Sequence, residues 1–311
     1  MDSLAFVFPG QGSQSLGMLK ELNDNQQIIR STLTDASEAL EYDVSKLLFE
    51  GPLEELNRTD QTQPALLASS VAIFRLWQQQ SSQMPKMMAG HSLGEYSALV
   101  CAGVLDFSDA LRLVRQRGRY MMQAVPEGTG SMAAIIGLDN ELVEKACGEA
   151  AAGQVVSPVN YNSPGQLVIA GHKEAVNRAI VLCKEAGAKR ALPIAVNFPF
   201  HCTLMLPAAE KLKQALGQIT LSKPSITVIN NVNVSIETEA KQITNALVKQ
   251  LYSPVRWTET IQFMQSEGIT TIIECGTGKV LAGLCKRIDK SITALVTADQ
   301  AAFNKSLEAL K

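Results

Sequence analysis

One run of residues constrains the fold more than any other part of the chain. β-type segments at Met132–Ile136, Val155–Tyr161, Gln166–Ala170 and Lys189–Ala195 alternate with helical patterns at Asn140–Ala151 and Lys173–Ala186, and Asn162-Ser163-Pro164-Gly165 turns between the two middle strands. Strand, helix, strand, strand, helix, strand in about 70 residues is the ferredoxin-like order. The stretch Pro126-Glu127-Gly128-Thr129-Gly130 ahead of it is a linker by composition. The run therefore reads as a self-contained insert.

A different pattern flanks it. Leu4–Phe8 is a short β-prone run that stops at Pro9-Gly10. Pro64–Gln80 has helical spacing, with Leu67, Val71, Phe74 and Leu76 apolar. Lys86–Ala89 is a strand by context alone, and helices are expected at Leu93–Ala102 and at Ser108–Ala124, the second capped by Ser108. Beyond His201, helices are expected at Pro207–Leu216, Ala240–Leu251 and Trp257–Glu267, and strands at Ile226–Ile229, Thr271–Glu274 and Ile292–Val296. Strands separated by helices imply a mostly parallel sheet covered on both faces. The expected fold class is α/β. A hydrolase-like core would come from residues 1–125 and 201–311, with a ferredoxin-like small subdomain at 126–200.

Composition removes several function classes. Lys plus Arg number 28 against 30 Asp plus Glu, a formal charge of -2, so a bulk nucleic-acid binder is not expected. No stretch reaches about 18 uninterrupted apolar residues, so no spanning helix is expected. The first residues are too short an apolar run, and too poor in basic residues, for a signal peptide. Six scattered cysteines without a CxxC pair read as reduced thiols, not as disulfides or a metal site. A cytoplasmic protein is the expectation.

Two nucleotide-binding patterns fail. Gly10-x-Gly12 follows a strand, but Ser15 stands where GxGxxG needs its third glycine. Gly278-Lys279 has Ile273 where a phosphate loop needs its first glycine, and Val280 follows the lysine. The motif that survives is Gly90-His91-Ser92-Leu93-Gly94, a GxSxG set between a short strand and a helix. A sharp strand-to-helix turn exposes such a serine, and the helix N-terminus offers free N–H groups to an oxyanion.

A serine nucleophile needs a base, and the chain holds three histidines. His91 adjoins Ser92, so its side chain is expected to point away. His172 lies at a turn before a polar helix and is expected to be solvated. His201 ends the apolar run Asn197-Phe198-Pro199-Phe200, where the insert rejoins the core, and is the remaining base candidate. No Asp or Glu stands out as a third member, and a backbone carbonyl can orient an imidazole instead. Arg115, Arg117 and Arg119 follow on one helix, where about 100° per residue spreads them over different faces. One buried arginine beside the serine would suit a substrate carboxylate.

Several blocks in order carry a resemblance that runs essentially end to end. They are Phe8-Pro9-Gly10-Gln11-Gly12-Ser13-Gln14, Gln61-Thr62-Gln63-Pro64-Ala65, Gly90-His91-Ser92-Leu93-Gly94-Glu95 and Arg117-Gly118, followed by Asn160-Tyr161-Asn162-Ser163-Pro164-Gly165-Gln166, Phe200-His201 and Asn230-Asn231-Val232. With them the chain resembles the malonyl-CoA:acyl carrier protein transacylase family of bacterial fatty-acid synthesis, related to polyketide-synthase acyltransferase domains. The resemblance implies Ser92 as acyl-carrying nucleophile and His201 as its base. It implies an oxyanion hole from the N–H groups of Gln11 and Leu93, and orientation of His201 by the main-chain carbonyl of Gln250. Arg117 would bind the malonate carboxylate, with Gln63, Asn162 and Gln166 as further pocket residues.

It implies no bound cofactor or metal, malonyl-CoA as substrate and coenzyme A as product. The partner would be an acidic acyl carrier protein, met through Lys189 and Arg190 or Lys286 and Arg287, with no nucleic acid and no membrane. A trans-acting polyketide acyltransferase and a serine thioesterase or hydrolase of the same fold are the alternatives. Departures from the family pattern are Gly276-Thr277-Gly278 in place of Gly-Pro-Gly, Cys202 after the histidine, and Phe200 before it, which would crowd an α-methyl group.

Overall fold

The computed structural model describes residues 3–196 and 198–310. Met1, Asp2 and Lys311 lie outside them, as does Asn197, the first residue of the apolar run before His201. The chain opens with β1 (Leu4–Phe8), four helices α1 (Lys20–Asn25), α2 (Gln27–Leu40), α3 (Val44–Glu50) and α4 (Leu53–Leu56), then α5 (Thr59–Gln80), β2 (Met87–Gly90), α6 (Gly94–Cys101) and α7 (Phe107–Met122). The middle holds β3 (Gly130–Ile136), α8 (Asn140–Ala151), β4 (Val156–Ser163), β5 (Gln166–His172), α9 (Lys173–Glu185) and β6 (Arg190–Pro193). The remainder is α10 (Leu206–Leu216), β7 (Thr227–Ile229), α11 (Ala240–Gln250), α12 (Trp257–Ser266), β8 (Thr271–Glu274), α13 (Val280–Ile288), β9 (Thr293–Val296) and α14 (Gln300–Glu308).

Both ends of the chain build one five-stranded sheet in the order β7-β2-β1-β8-β9, with every pairing parallel. Helices cover both faces, so its central strand is apolar throughout: all five residues of β1 are buried. On one face Phe6 meets Trp77 of α5 edge-to-face at 5.2 Å. On the other, Ala5 and Val7 pack with Trp257 and Ile261 of α12. β2 has poor β propensity, and pairing with β1 and β7 on its two sides makes it a strand.

The middle segment forms a second, four-stranded antiparallel sheet in the order β4-β5-β3-β6. That is the ferredoxin-like order, with its own core. Val143, Ala146, Cys147 and Ala150 of α8, at helical spacing, pack with Val176, Ala179 and Cys183 of α9 over Ile135, Leu167 and Ile169. Main-chain bonds attach it to the parallel sheet's side of the molecule. The Tyr161 N–H donates to the Val255 carbonyl at 3.0 Å, and the Val255 N–H to the Val159 carbonyl at 2.8 Å.

Three local expectations change. The helix read from Pro64 begins at Thr59, because a proline one turn inside a helix looks like a start although the preceding turn is already helical. Ser108 is not the cap of α7: the Asp106 carboxylate accepts the Asp109 N–H at 3.0 Å and caps the helix two residues earlier. His172 is not solvated but half-buried, and its Nδ1 accepts the Val155 N–H at 2.9 Å. All six cysteines are free, five of them buried.

Candidate active site

Ser92 stands on the turn between β2 and α6, at the carboxyl end of the parallel sheet, with φ of 53°. A non-glycine residue in this left-handed region is strained and persists only where its surroundings fix it. Here they do. A Cβ on Gly90 would lie 1.8 Å from the Gly94 carbonyl carbon, and one on Gly94 would lie 2.0 Å from the Phe8 carbonyl oxygen, so only glycine lets the turn close against β1. Asn231, just after β7, clamps it from the other side: its Oδ1 accepts the Ser92 N–H at 2.7 Å and its Nδ2 donates to the Gly90 carbonyl at 2.6 Å.

His201 comes to this serine from the segment that leaves the antiparallel sheet. Its Nε2 is 2.8 Å from Ser92 Oγ, and its Nδ1 is 2.8 Å from the main-chain carbonyl of Gln250 at the end of α11. A carbonyl only accepts, so Nδ1 carries the proton and Nε2 is left free to take one from the hydroxyl. Burial and the nearby Arg117 charge push the His201 pKa down to about 3, so the imidazole is neutral at neutral pH.

Arg117 is buried to 1% exposure on α7. Its Nη1 donates to Gln63 Oε1 at 2.8 Å, and its Nη2 to Gln250 Oε1 at 2.9 Å and to Ser92 Oγ at 3.2 Å. Gly118 allows this approach, since a Cβ there would lie 2.7 Å from the Asp60 Cα on α5. The neighbouring arginines face elsewhere: Arg115 donates to the Leu40 carbonyl and stacks over Tyr42, and Arg119 pairs with Asp60. Among the described residues no carboxylate forms an ion pair with Arg117, and its Nε is buried without a partner.

A cavity of about 120 Å³ opens over this group, and Gln11, Gln63, Ser92, Leu93, Arg117 and His201 are among its walls. The amide N–H groups of Gln11 and Leu93 take no acceptor among the described residues, so both can face an incoming oxygen. Asn162 is one layer back, its Oδ1 2.9 Å from Nε2 of His91, and His91 points away from Ser92 toward Trp257, as expected. Gln166 is not brought to the cavity. It lies at the start of β5, where it accepts from Arg287, because the β4–β5 turn aims it across the seam between the sheets.

Sequence reasoning missed three parts. The side chain of Gln250 touches Arg117, and Glu95 and Asn231 form a buried network behind Ser92. These bonds join residues 133 to 155 positions apart, beyond any local pattern; only membership in the GHSLGE and Asn-Asn-Val blocks hinted at them. Among the described residues, no group of three or more His, Cys, Asp or Glu could hold a metal, and no helix is long and apolar enough to cross a membrane.

A hydroxyl hydrogen-bonded to a neutral imidazole, two free amides and a buried cation can perform nucleophilic acyl transfer on an acyl group with a remote anionic end. Comparison with known proteins agrees. The acyl transferase domain model matches residues 5–298. The malonyl CoA-acyl carrier protein transacylase of Salmonella typhimurium is 59% identical over 307 residues, 99% of either chain. A malonyl-transacylase solved in complex with a type II polyketide-synthase acyl-carrier protein superposes with a TM-score of 0.98 at 57% identity over 99% of both chains. An acyl carrier protein S-malonyltransferase of Vibrio cholerae gives 0.96 at 56% identity, over 98% of this chain and 99% of that one. The serine elbow, the histidine brought to it and the full-length match lead to one conclusion: the chain belongs to the acyl transferase domain family.

Proposed function

We propose that the chain is a malonyl-CoA:acyl carrier protein S-malonyltransferase of fatty-acid synthesis, working by a ping-pong exchange at Ser92. Ser92 Oγ attacks the thioester carbonyl while His201 Nε2 takes its proton. The oxyanion is met by the N–H groups of Gln11 and Leu93, each such donor being worth about 3 kcal/mol of barrier. The carbon–sulfur bond breaks, coenzyme A leaves with the proton from His201, and a malonyl-serine ester remains. The phosphopantetheine thiol of acyl carrier protein then attacks the ester, His201 takes its proton, and Ser92 recovers it. Exchange of a thioester for an ester and back changes no oxidation state, so the chemistry calls for no redox cofactor.

The observation that carries this reading is Arg117, a buried guanidinium held by neutral amide oxygens, 3.2 Å from Ser92 Oγ. The malonate carboxylate supplies the charge it lacks, and Gln63 steadies it. Asn162 supports the floor through His91. A groove of about 430 Å³ shares Gln11, Ile194 and Val196 with the cavity and carries Arg58 on its rim, a route for a pantetheine arm. Carrier-protein contact is assigned to Lys189 and Arg190 or to Lys286 and Arg287, all exposed, with Arg287 already engaged by Gln166. Residues 1–125 and 201–311 form the catalytic subdomain and 126–200 the small one, in a protein of the cytoplasm.

Incubation with labelled malonyl-CoA tests the reading. Intact mass should show a malonyl adduct on wild-type protein and none on Ser92→Ala, and holo carrier protein should remove the label. Label lost only to water identifies a hydrolase, and no adduct overturns the proposal. Arg117→Ala should abolish the preference for malonyl-CoA over acetyl-CoA; a preserved preference removes Arg117 from the site. Service to a polyketide pathway is a second reading, favoured by the relative solved with a polyketide-synthase carrier protein.

A further inference from the structure

Behind Ser92 lies a buried polar network that the mechanism above leaves without a part. Glu95, in the first turn of α6, is 2% exposed. Its Oε2 accepts the Asn231 N–H at 2.9 Å and the Gln250 Nε2 at 2.8 Å. The same Gln250 amide receives Arg117 Nη2 on its oxygen and donates to the Ser92 carbonyl at 3.1 Å. Gln250 is thus held between a group that only donates and groups that accept. A guanidinium has no acceptor, and Glu95 Oε2, which takes two N–H groups, acts as an acceptor even though burial raises the Glu95 pKa to about 7, so one amide orientation satisfies both, with the oxygen toward Arg117 and the NH2 toward Glu95.

We infer that Glu95 is a positioning residue for substrate selection, fixing through the Gln250 side chain the direction in which the Arg117 fork points. Without an acceptor at position 95 the Gln250 NH2 keeps the Ser92 carbonyl and, at 3.4 Å, Asn231 Oδ1, but loses its shortest bond, and the amide is held less firmly. Each turn that brings the NH2 to the guanidinium, donor against donor, costs the fork one of the two amide oxygens that aim it at the cavity. A bidentate contact with a carboxylate depends on that aim, whereas attack of Ser92 on an acyl group without a carboxylate does not. The inference rests on the reading of Arg117 as the carboxylate-binding residue.

The test compares malonyl-CoA and acetyl-CoA as acyl donors for wild type, Glu95→Gln, Glu95→Met and Arg117→Ala. Glu95→Met matches the side chain in length and removes the acceptor. It should lower the malonyl-to-acetyl ratio of kcat/KM about tenfold, chiefly through the malonyl KM. Glu95→Gln keeps an oxygen acceptor but loses the charge, and should lower the ratio by a smaller factor, about threefold. In the Arg117→Ala background Glu95→Gln should change the ratio no further, since the residue it aims is gone. Equal loss on both donors in the Glu95 variants would mean the network merely supports the fold, and would overturn the inference. If Glu95→Met does not fold, an unchanged ratio in soluble Glu95→Gln overturns it alone. A ratio unaffected by Arg117→Ala instead removes the underlying reading of Arg117.

Discussion

Two residues of the site, Ser92 and His201, share an unusual backbone, φ of 53° and 61°, yet they are held by different means. Ser92 is part of the parallel sheet's own architecture. Gly90 and Gly94 permit the turn, Phe8 packs against it, and Asn231 closes it with two hydrogen bonds. His201 arrives on a segment leaving the antiparallel sheet and is tied mainly by its ring, to Gln250 on one side and to Ser92 on the other. The nucleophile is a product of folding, and the base is delivered to it. Changes around the serine should therefore register in stability, and changes to the histidine in rate.

His201→Ala gives the largest effect. Acylation should fall by about six powers of ten, as when the base of a serine triad is removed, while the melting temperature moves much less than in the elbow variants below. A large drop in melting temperature would break the contrast. Gly94→Ala, which must push a methyl group against the Phe8 carbonyl, should cost about 3 kcal/mol or more in denaturant unfolding, or prevent folding. Asn231→Ala should follow at about 2 kcal/mol, because it leaves the Ser92 N–H and the Gly90 carbonyl unpaired.

A further effect is protonic. With its pKa near 3, His201 binds fewer protons folded than unfolded between about pH 3 and 6.5. Its contribution to stability is present above pH 6.5 and lost as pH falls toward 3. In nitrogen-detected NMR of the free protein its ring should stay neutral down to pH 5. Titration near 6.5 would show a solvated, loosely held base.

The same contrast explains what could be read from the sequence. The elbow was legible because a strand, a GxSxG and a helix are consecutive, and the antiparallel insert because its six elements alternate within one stretch. Four helices between Lys20 and Leu56 were not read at all. Asp106 as cap of α7 was passed over for Ser108, two acceptable caps standing two residues apart. Of the arginines, helical geometry said that few could face the site but not which, and the choice fell to Arg117 because Gly118 lets α7 press on α5. Gln166 was carried over with its block and points to Arg287 instead, since a β-turn decides on which side of the seam a residue falls. Glu95, Asn231 and the Gln250 amide act across folds of the chain that no local period records.

The carbonyl behind His201 has a consequence for which bonds can be cut. When the imidazole takes the serine proton it becomes a cation facing a neutral dipole, where a carboxylate would have steadied it more. Such a base is a modest one. An amide would need strong protonation of a poor leaving amine, but a thiol, with a pKa near 8.5, is a good leaving group that asks little of the acid. A weakly backed imidazole is thus matched to thioesters, whose leaving thiol asks little of it, and poorly matched to amides.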